Sequence, residues 1–414
     1  MSMSEKPSFT LQRLGWTDEI LDVIDCPGGA MTLRASYGSG LARRPDDPPG
    51  IVWAVGDRGP NLKIKTLLDL YGLEHLRPLA AMSGAKIMPR TDLGPALARL
   101  QVVEDRIKLA AVLRLRDGNG VAVSGLPMPH GDHAISEPAL DMDGQPISAD
   151  PSGLDTEGIV ALPDGSFFVG DEFGPSLVHV GAGGDVIARF VPANVPLGGA
   201  RYPVRPILPA IASRRQINRG FEAIAVSADG AFLFLAFQSP LAHPDPQTHA
   251  AARHVRLWKL DAATLRVRAQ YLYPLDPPES FLRDARDEAI GWSDLKVSEL
   301  VWLGEDSLLV LERASRTTKL YRVDLRAASA LGSEHLDIET RPTIEELSAA
   351  AAPLPELDKR LLFTSDDVPE LPADIEGVAV LSPRTLLLVN DNDFGVEGAE
   401  TSFWRLEFAD PVLA

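Results

Sequence analysis

The 414-residue sequence is poor in cysteine, in aromatic residues and in positive charge. Its single cysteine, Cys26, excludes a disulfide framework within one chain. The net charge of −18 argues against nucleic acid and against an anionic membrane surface, because both need lysine and arginine to pair with phosphates. No run of about 18 apolar residues occurs, so we expect no membrane-spanning helix. These absences leave a small anionic or ester substrate as the predicted partner and say nothing about oligomeric state.

The N-terminus also lacks the features of a secretory leader. It reads MSMSEKPSFT, with no basic start followed by an apolar core. A cytoplasmic location is therefore predicted for the chain as given. A periplasmic or secreted location is the alternative if a leader has been removed.

Glycine and proline are frequent, at 34 residues each, which suits many short strands joined by turns. One unit recurs: a glutamate, a short apolar run, a polar or glycine-bearing turn, a second apolar run and a polar pair. Copies of this unit span residues 157–172, 222–239, 299–313 and 376–392, and a partial copy spans 31–58. Each copy reads as a β-hairpin.

Both strands of each hairpin are almost continuously apolar, which indicates burial on both faces. Less apolar segments follow each hairpin and are predicted to form outer strands. We therefore predict an all-β chain folded as a single β-propeller domain over 1–414, with the repeat-bearing core at about 31–408. Five four-stranded blades are counted, or six if residues 61–95 hide strands. Pairing of 402–408 with 9–14 would close the ring and remove exposed edge strands. Residues 327–357, rich in alanine and glutamate, are interpreted as an insertion with room for a helix.

The hairpins would carry acidic residues to one end of the central channel. Glu157 and Asp171 begin and end one hairpin, so they lie at the same end of it. The first strand of each blade lines the channel of a propeller, and the other copies repeat this relation. The predicted metal ligands are Asp57, Glu157, Asp171, Glu222, Glu299, Glu312, Glu376 and Asp391.

Carboxylates gathered in this way repel one another unless protons, basic side chains or a metal ion balance them. Many oxygen ligands without a cysteine or histidine cluster favour Ca²⁺, with Mg²⁺ or Mn²⁺ as alternatives, over zinc or copper. Arg58 and Arg313 directly follow two of these acids. They could balance the charge or hold a phosphate in a bidentate manner.

Several stretches of the chain carry a family resemblance. They are 56–61 (GDRGPN), 153–159 (GLDTEGI), 171–175 (DEFGP) and 390–395 (NDNDFG), together with shorter matches at 220–222, 238–241 and 311–313. In these motifs the chain resembles the phytase-like domain family, also described as "esterase-like activity of phytase". The resemblance implies a β-propeller whose glutamates and aspartates form a site for phosphoester chemistry.

Three functions are compatible with this pattern. The first is a metal-dependent hydrolase of a phosphoester, with Glu157 or Glu222 as general base and Arg58 or Arg313 steadying the developing charge. The second is a calcium-dependent lactonase or carboxylesterase, by analogy with other propeller architectures. The third is a binding propeller in which the metal only stabilises the fold.

Two histidine-containing runs, 130–137 and 243–254, are interpreted as surface loops. Closely spaced histidines such as His130 and His133 could bind a metal. Loops of this kind could instead cover the mouth of the channel, where propeller loops often contact a ligand.

Overall fold

The computed structural model describes residues 6–129, 137–286, 289–326 and 329–413. Most of the chain is strand and turn. In the first half the strands are β1 (Phe9–Leu14), β2 (Ile20–Cys26), β3 (Gly29–Arg34), β4 (Gly40–Ala42), β5 (Ile51–Val55), β6 (Leu62–Lys63), β7 (Lys86–Ile87), β8 (Ala96–Val103), β9 (Arg106–Arg114), β10 (Ala139–Leu140), β11 (Thr156–Ala161), β12 (Phe167–Asp171), β13 (Ser176–Val180), β14 (Val186–Pro192) and β15 (Val204–Leu208).

The second half repeats short antiparallel hairpins. Its strands are β16 (Phe221–Val226), β17 (Phe232–Phe237), β18 (His254–Asp261), β19 (Val267–Pro274), β20 (Lys296–Gly304), β21 (Ser307–Arg313), β22 (Thr318–Asp324), β23 (Lys359–Thr364), β24 (Ile375–Ser382), β25 (Thr385–Asn390) and β26 (Phe403–Phe408). The α-helices are α1 (Ile64–Tyr71), α2 (Pro246–Ala251), α3 (Leu282–Ala285) and α4 (Ile344–Ala349). Short 3-10 helices include Glu74–Leu79, Ala210–Arg214 and Ser333–Leu336.

Five sheets carry the repeat. In order along the chain they are sheet 1 (β4-β5-β8-β9), sheet 2 (β11-β12-β13-β14-β15), sheet 3 (β16-β17-β18-β19), sheet 4 (β20-β21-β22-β23) and sheet 5 (β24-β25-β26-β1). Neighbouring strands within them are antiparallel except for β14 and β15. The first strands contact one another in the order β4, β11, β16, β20 and β24, and β24 also contacts β4. Sheets arranged in this way around their first strands form a β-propeller fold.

The strands next to the first ones are buried on both faces, as the apolar runs predict. All five residues of β12 and all seven of β21 are buried. Apolar side chains fill the space between adjacent sheets. The rings of Phe221, Phe237 and Trp258 pack in one such layer, with the centroids of Phe237 and Trp258 5.0 Å apart in an edge-to-face arrangement.

The two ends of the described chain meet in sheet 5. Strand β1 pairs with β26 from Phe9 opposite Phe408 to Leu14 opposite Phe403, which is the pairing expected from the sequence. The predicted outer strands also occur, since β13, β14, β18, β19 and β22 lie where the less apolar segments were expected.

The structure corrects the prediction for the partial repeat at 31–58. Residues 29–34 form β3, which pairs with β2 outside the five sheets, whereas the short strand β4 opens sheet 1. Glycine is required here because the chain passes very close to its neighbours: a Cβ on Gly38 would lie 2.2 Å from the carbonyl oxygen of Asn390. Residues 61–95 contain only the two-residue strands β6 and β7 and two helices, and these strands form a small sheet with β10.

The insertion at 327–357 contains helix α4 in its described part. Thr343 Oγ1 accepts a hydrogen bond from the amide of Glu346 at 3.0 Å, and Glu346 accepts one from the amide of Thr343 at 2.7 Å, which forms a capping box. The helix packs against α2. Among the described residues, no helix has the length and apolar content needed to cross a bilayer.

The run 243–254 lies largely at the surface, as interpreted, but it is not a loop throughout, because residues 246–251 form α2, and its histidines do not face solvent. His243, His249 and His254 are all buried, and each ring is hydrogen-bonded. His243 and His254 bond residues of the insertion, so they attach it to sheet 3 instead of facing solvent. His130 and His133 lie outside the described residues.

Candidate active site

A polar cavity of about 130 Å³ opens where the first strands of the sheets begin. Eight carboxylate residues and five cationic residues line it, together with three side-chain amides. The carboxylates are Asp57, Asp155, Glu157, Glu172, Glu222, Glu376, Asp391 and Asp393, the cations are Arg58, Lys86, Arg219, Lys296 and Arg313, and the amides are Asn61, Asn218 and Gln238.

Seven of the ten site residues predicted from the sequence lie in this wall: Asp57, Arg58, Glu157, Glu222, Arg313, Glu376 and Asp391. Glu222 and Glu376 sit at β-bulges near the starts of their strands, where the pairing register shifts by one residue. A bulge redirects the side chain at that position. The repeated irregularity therefore turns these glutamates towards the cavity.

Strand β20 breaks the pattern and explains why Glu299 does not line the cavity. Its register shift falls at Ser298, one residue earlier than the predicted glutamate. Glu299 is fully buried and accepts a hydrogen bond from the amide of Leu41 at 2.9 Å. Burial raises its pKa well above the usual range, while the backbone amides that donate to it oppose this shift.

Asp171 and Glu312 also lie outside the cavity, because neighbouring side chains of a strand point to opposite faces. Asp171 bonds the guanidinium of Arg189, with both side chains fully buried. Glu312 accepts hydrogen bonds from Tyr273 Oη at 2.6 Å and Lys359 Nζ at 2.7 Å between two sheets. In each case the next residue in the chain, Glu172 or Arg313, reaches the cavity instead.

The carboxylates converge in two sets that share one member. Oxygens of Asp57, Asp155 and Glu157 lie within 4.8 Å of one another, and so do oxygens of Asp57, Asp391 and Asp393. Three convergent oxygens are the beginning of a coordination sphere for a hard divalent cation. Asp57 could bridge the two sets.

Asp155 is a buried carboxylate with one ion-pair partner and no hydrogen bond among the described residues. Its side chain is 1% exposed, and neither oxygen has a hydrogen-bond partner among the described residues. The ion pair is with Arg58, whose Nη1 lies 3.2 Å from Oδ2 and also bonds Glu137. Because an unsatisfied buried carboxylate is costly, this observation fits a bound cation at the first set.

Burial and the repulsion between neighbouring carboxylates raise the pKa values of four acids in the cavity. Burial, followed by the charge of Asp155, raises the pKa of Asp57 well above its usual range. Burial and the carboxylates of Asp57 and Asp155 do the same for Glu157. Burial first and neighbouring acids second raise the pKa of Glu172 to about 8 and that of Asp393 to about 7. Without a cation these groups therefore hold protons to higher pH than ordinary carboxyl groups do.

Each of the two arginines predicted from the sequence is held by at least one acid that was not among the predicted site residues. Arg58 Nη1 lies 2.7 Å from Glu137, and its guanidinium stacks on Phe173 at 5.2 Å. Arg313 bonds Glu376 and lies 3.0 Å from Asp374. Both guanidinium groups are therefore already paired with carboxylates.

Arg219 and Lys296 differ from them. Arg219 Nη1 donates to the carbonyl oxygen of Asn218 at 3.1 Å and to Gln238 Oε1 at 3.3 Å. Among the residues that the structure describes, neither Arg219 nor Lys296 has a carboxylate oxygen within 4.0 Å. Burial is the main cause that lowers the pKa of both side chains. For Arg219 the carboxylate of Glu172 partly opposes this shift, whereas for Lys296 the charge of Arg313 lowers the pKa further. An anion would relieve this cost.

Sequence reasoning named neither these cations nor Asp155, Glu172 and Asp393. The three acids stand inside motifs that the sequence analysis quoted, at 153–159, 171–175 and 390–395, so the motifs contained the signal. Arg219 and Lys296 carry no comparable mark, since each is a single cation just before or at the start of a strand.

A second constellation resembles the machinery of an ester hydrolase. His254 Nδ1 lies 2.7 Å from Ser348 Oγ, and His254 Nε2 lies 2.9 Å from Glu356 Oε2. Ser348, however, is fully buried and also accepts a hydrogen bond from the amide of Arg253 at 2.8 Å. A nucleophile must reach its substrate, so we interpret this group as a structural connection between sheet 3 and the insertion.

A family model described as "Phytase-like: Esterase-like activity of phytase" matches residues 37–394. The chain belongs to this phytase-like family. Its motifs at 56–61, 153–159 and 390–395 contribute residues to the cavity described above. The family description indicates a hydrolase acting on esters and leaves the substrate open.

One curated relative is an "Uncharacterized secreted protein" from Arthroderma benhamiae. It is 26% identical over 303 residues, which cover 64% of this chain and 55% of that protein. The match thus spans about half the length of the relative, and "secreted" describes that protein. The location of the present chain stays a prediction.

Solved structures of low sequence identity also align over most of the chain. The PQQ-bound aldose sugar dehydrogenase from Streptomyces coelicolor is 12% identical, with a TM-score of 0.33 and coverage of 97% of this chain and 99% of that chain. A luciferin-regenerating enzyme is 10% identical, with a TM-score of 0.37 and coverage of 97% and 96%. The Cps50 (Swd1) β-propeller domain from Myceliophteria thermophila is 14% identical, with a TM-score of 0.32 and coverage of 90% and 82%. Similarities this weak do not bear on function.

Proposed function

We propose that this protein is a divalent-cation-dependent hydrolase of a small phosphoester, with Ca²⁺ as the cation. The observation that carries the proposal is the division of one cavity into two kinds of binding group. Asp155, with no hydrogen-bond partner among the described residues, faces a set of carboxylates, and Arg219 and Lys296 have no carboxylate partner there. A metal and an anion together would satisfy both kinds of group.

The proposal includes a single propeller domain with five blades closed into one ring. The cyclic order of contacts among β4, β11, β16, β20 and β24 supports this count. The pairing of β1 with β26 supports closure, because it places the N-terminal strand in the last sheet. A closed ring would hold the carboxylates of different sheets at fixed separations, as a metal site requires.

Asp57, Asp155 and Glu157 would hold the cation, and Asp391 and Asp393 with Asp57 would hold a second one if two bind. A set built from carboxylate oxygens fits Ca²⁺, while Mg²⁺ or Mn²⁺ would need a more nearly octahedral arrangement. When bound, the cation would polarise the phosphoryl oxygen and favour a nucleophilic water. Arg58, which is bonded to Glu137 and lies beside Asp155, would keep that carboxylate in place.

Arg219 and Lys296 would bind the phosphoryl oxygens. Both are cations in the cavity wall, and a negatively charged ester would give each the partner it lacks among the described residues. Arg313 is bonded to Glu376 and lies 3.8 Å from Glu222, so its role would be to position those acids. Charge-assisted hydrogen bonds to phosphate are short and strong enough to orient the substrate.

Glu172 and Glu222 would move the protons. As the oxygen of water bonds to phosphorus, Glu222 would take the proton of that water. As the bond from phosphorus to the ester oxygen breaks, Glu172 would give its proton to the departing alcohol oxygen. The pKa of about 8 keeps Glu172 protonated near neutral pH, as a general acid requires.

The two other functions make different demands on the cavity. A lactone or carboxylic ester is uncharged at the reacting group before hydrolysis, so Arg219 and Lys296 would have no anionic group to neutralise when the substrate binds. A purely structural cation would account for Asp155 and would likewise leave these cations without a role. Inhibition by inorganic phosphate would separate a phosphohydrolase from a lactonase, since only the former releases phosphate.

The decisive test is hydrolysis of p-nitrophenyl phosphate, bis-p-nitrophenyl phosphate and p-nitrophenyl acetate by chelator-treated protein supplied with Ca²⁺, Mg²⁺ or Mn²⁺. We expect turnover of a phosphate substrate that returns with Ca²⁺. Asp155→Asn should abolish it, whereas Asp143→Asn at an exposed turn should not. Restored melting temperature without turnover of any substrate would favour the binding propeller and contradict the proposal.

A further inference from the structure

A second cavity, of about 320 Å³, lies at the opposite end of the channel. The polar cavity contains Glu157 and Glu222 near the starts of their strands, whereas this one contains Pro163 and Ala228 at the turns that follow the same strands. Glu299 lines neither cavity. The two spaces are therefore separate sites at the two ends of one channel.

The wall of this second cavity is mostly apolar and comes from all five sheets. Its members include Ile159, Ile224, Leu300, Trp302 and Val380. The volume lies at the lower end of the range of small-molecule sites, which is roughly 300–1,000 Å³. Concave apolar walls with a few polar groups are typical of such sites, so the shape and chemistry favour a small ligand with an apolar body.

The charge of Arg43 in the wall indicates that the expected ligand is negatively charged. Arg43 Nη1 donates to the carbonyl oxygens of Val380 and Leu381 at 3.1 and 3.2 Å, while its buried Nε has no hydrogen-bond partner among the described residues. The neighbouring Arg44 differs, since it lies 3.4 Å from Asp47 and stacks on Trp53. Arg43 thus carries a positive charge with no carboxylate within 4.0 Å in the described part of the chain.

We propose that this apolar cavity is a binding site for a medium-chain carboxylate, with the hydrocarbon chain in the channel and the carboxylate on Arg43. Apolar burial would supply most of the affinity. The guanidinium would favour an acid over an alcohol of the same length through a charge-assisted hydrogen bond. The site does not depend on the phosphoester hydrolysis proposed above.

Isothermal titration calorimetry of the full chain with octanoate and with 1-octanol tests this site. Both should bind the wild type, octanoate more tightly. Arg43→Met should weaken octanoate roughly tenfold and leave 1-octanol unchanged, because it removes the charge and keeps the apolar stem. Ala228→Trp, at the exposed rim of the cavity, should weaken both ligands. The exposed Arg13→Met is the control and should change neither.

Three results would overturn the proposal. The first is absence of octanoate binding to the wild-type protein. The second is equal affinity of Arg43→Met and wild type for octanoate, with the folded state of the variant verified by its melting temperature. The third is displacement of octanoate by inorganic phosphate, because competition would place the ligand in the polar cavity. A protein that binds octanoate but hydrolyses none of the phosphate substrates would contradict the proposed hydrolase function and leave the carboxylate site standing.

Discussion

The backbone amide of Asp155 donates a hydrogen bond to Oδ1 of Asp171 at 2.8 Å. Asp171 lies outside the polar cavity, yet this bond holds the backbone of Asp155 in place. The Asp155 carboxylate itself has no hydrogen-bond partner among the described residues. Arg189 holds Asp171 in turn, and both of these side chains are fully buried. The ion pair of Asp171 and Arg189 therefore helps to position Asp155 in the candidate metal site without lining the cavity.

Asp171→Asn should destabilise the protein, because it leaves the guanidinium of Arg189 buried without its counter-charge. The expected loss in the free energy of unfolding is about 3 kcal/mol, measured by urea denaturation. A double-mutant cycle with Arg189→Met provides the control, since removal of both charges should cost less than the sum of the two single changes. Additive losses would show that the pair is not coupled.

Glu299→Gln should have little effect, in contrast to Glu157→Gln. Burial raises the pKa of Glu299 well above its usual range, so a neutral glutamine of the same shape should be accepted at this position. We expect the free energy of unfolding to stay within about 1 kcal/mol of the wild type and Ca²⁺ affinity to be unchanged. Glu157→Gln should remove a ligand and weaken Ca²⁺ at least tenfold in calorimetry. Loss of Ca²⁺ binding in Glu299→Gln would return Glu299 to the metal site.

The sequence predicted the strands well where burial leaves a strong mark. Strands β12 and β21 are buried along their whole length, and their apolar runs show it. Strand β4 has only three residues, and other chain segments approach closely at Gly40 within it and at Gly38 just before it. No local pattern can reveal such a strand, so the first strand of sheet 1 was misplaced.

The candidate site was harder to predict, because side-chain direction depends on single residues. The register shift at Ser298 instead of Glu299 decides which residue of β20 faces the cavity. Because side chains alternate between the two faces of a strand, Arg313 and not Glu312 lines the cavity. Pairs distant in sequence, such as Arg58 with Glu137, leave no local trace at all.

The stability of the chelator-treated protein should fall as the pH rises from about 5 to about 8. Burial and neighbouring acids raise the pKa of Asp393 to about 7 and that of Glu172 to about 8. Between the ordinary carboxyl pKa and these values, the folded state binds more protons than the unfolded state. Stability therefore decreases with pH across this interval and levels off above it.

Melting temperatures measured at a series of pH values, with and without Ca²⁺, check this dependence. Ca²⁺ should reduce the decline, because the cation takes the place of the proton on Asp393, a proposed ligand, whereas Glu172 lies outside both ligand sets and keeps its proton. Asp143→Asn, which changes an exposed acid, should reproduce the wild-type curves. A melting temperature that rises with pH in the presence of chelator would contradict the assignment of raised pKa values to the cavity acids.

Inorganic phosphate should stabilise the wild-type protein through Lys296, whether or not turnover is detected. A ligand that binds only the folded state raises the free energy of unfolding by RT ln(1 + [L]/Kd), which is about 2.7 kcal/mol at a phosphate concentration of one hundred times Kd. Lys296→Met removes a cavity cation that has no carboxylate partner among the described residues, so the rise in melting temperature with phosphate should fall sharply. Lys65→Met, at an exposed position on α1, should keep the full response. If Lys296→Met responds to phosphate as the wild type does, the anion does not bind at this lysine, and the phosphoester proposal loses the feature that separates it from a lactonase.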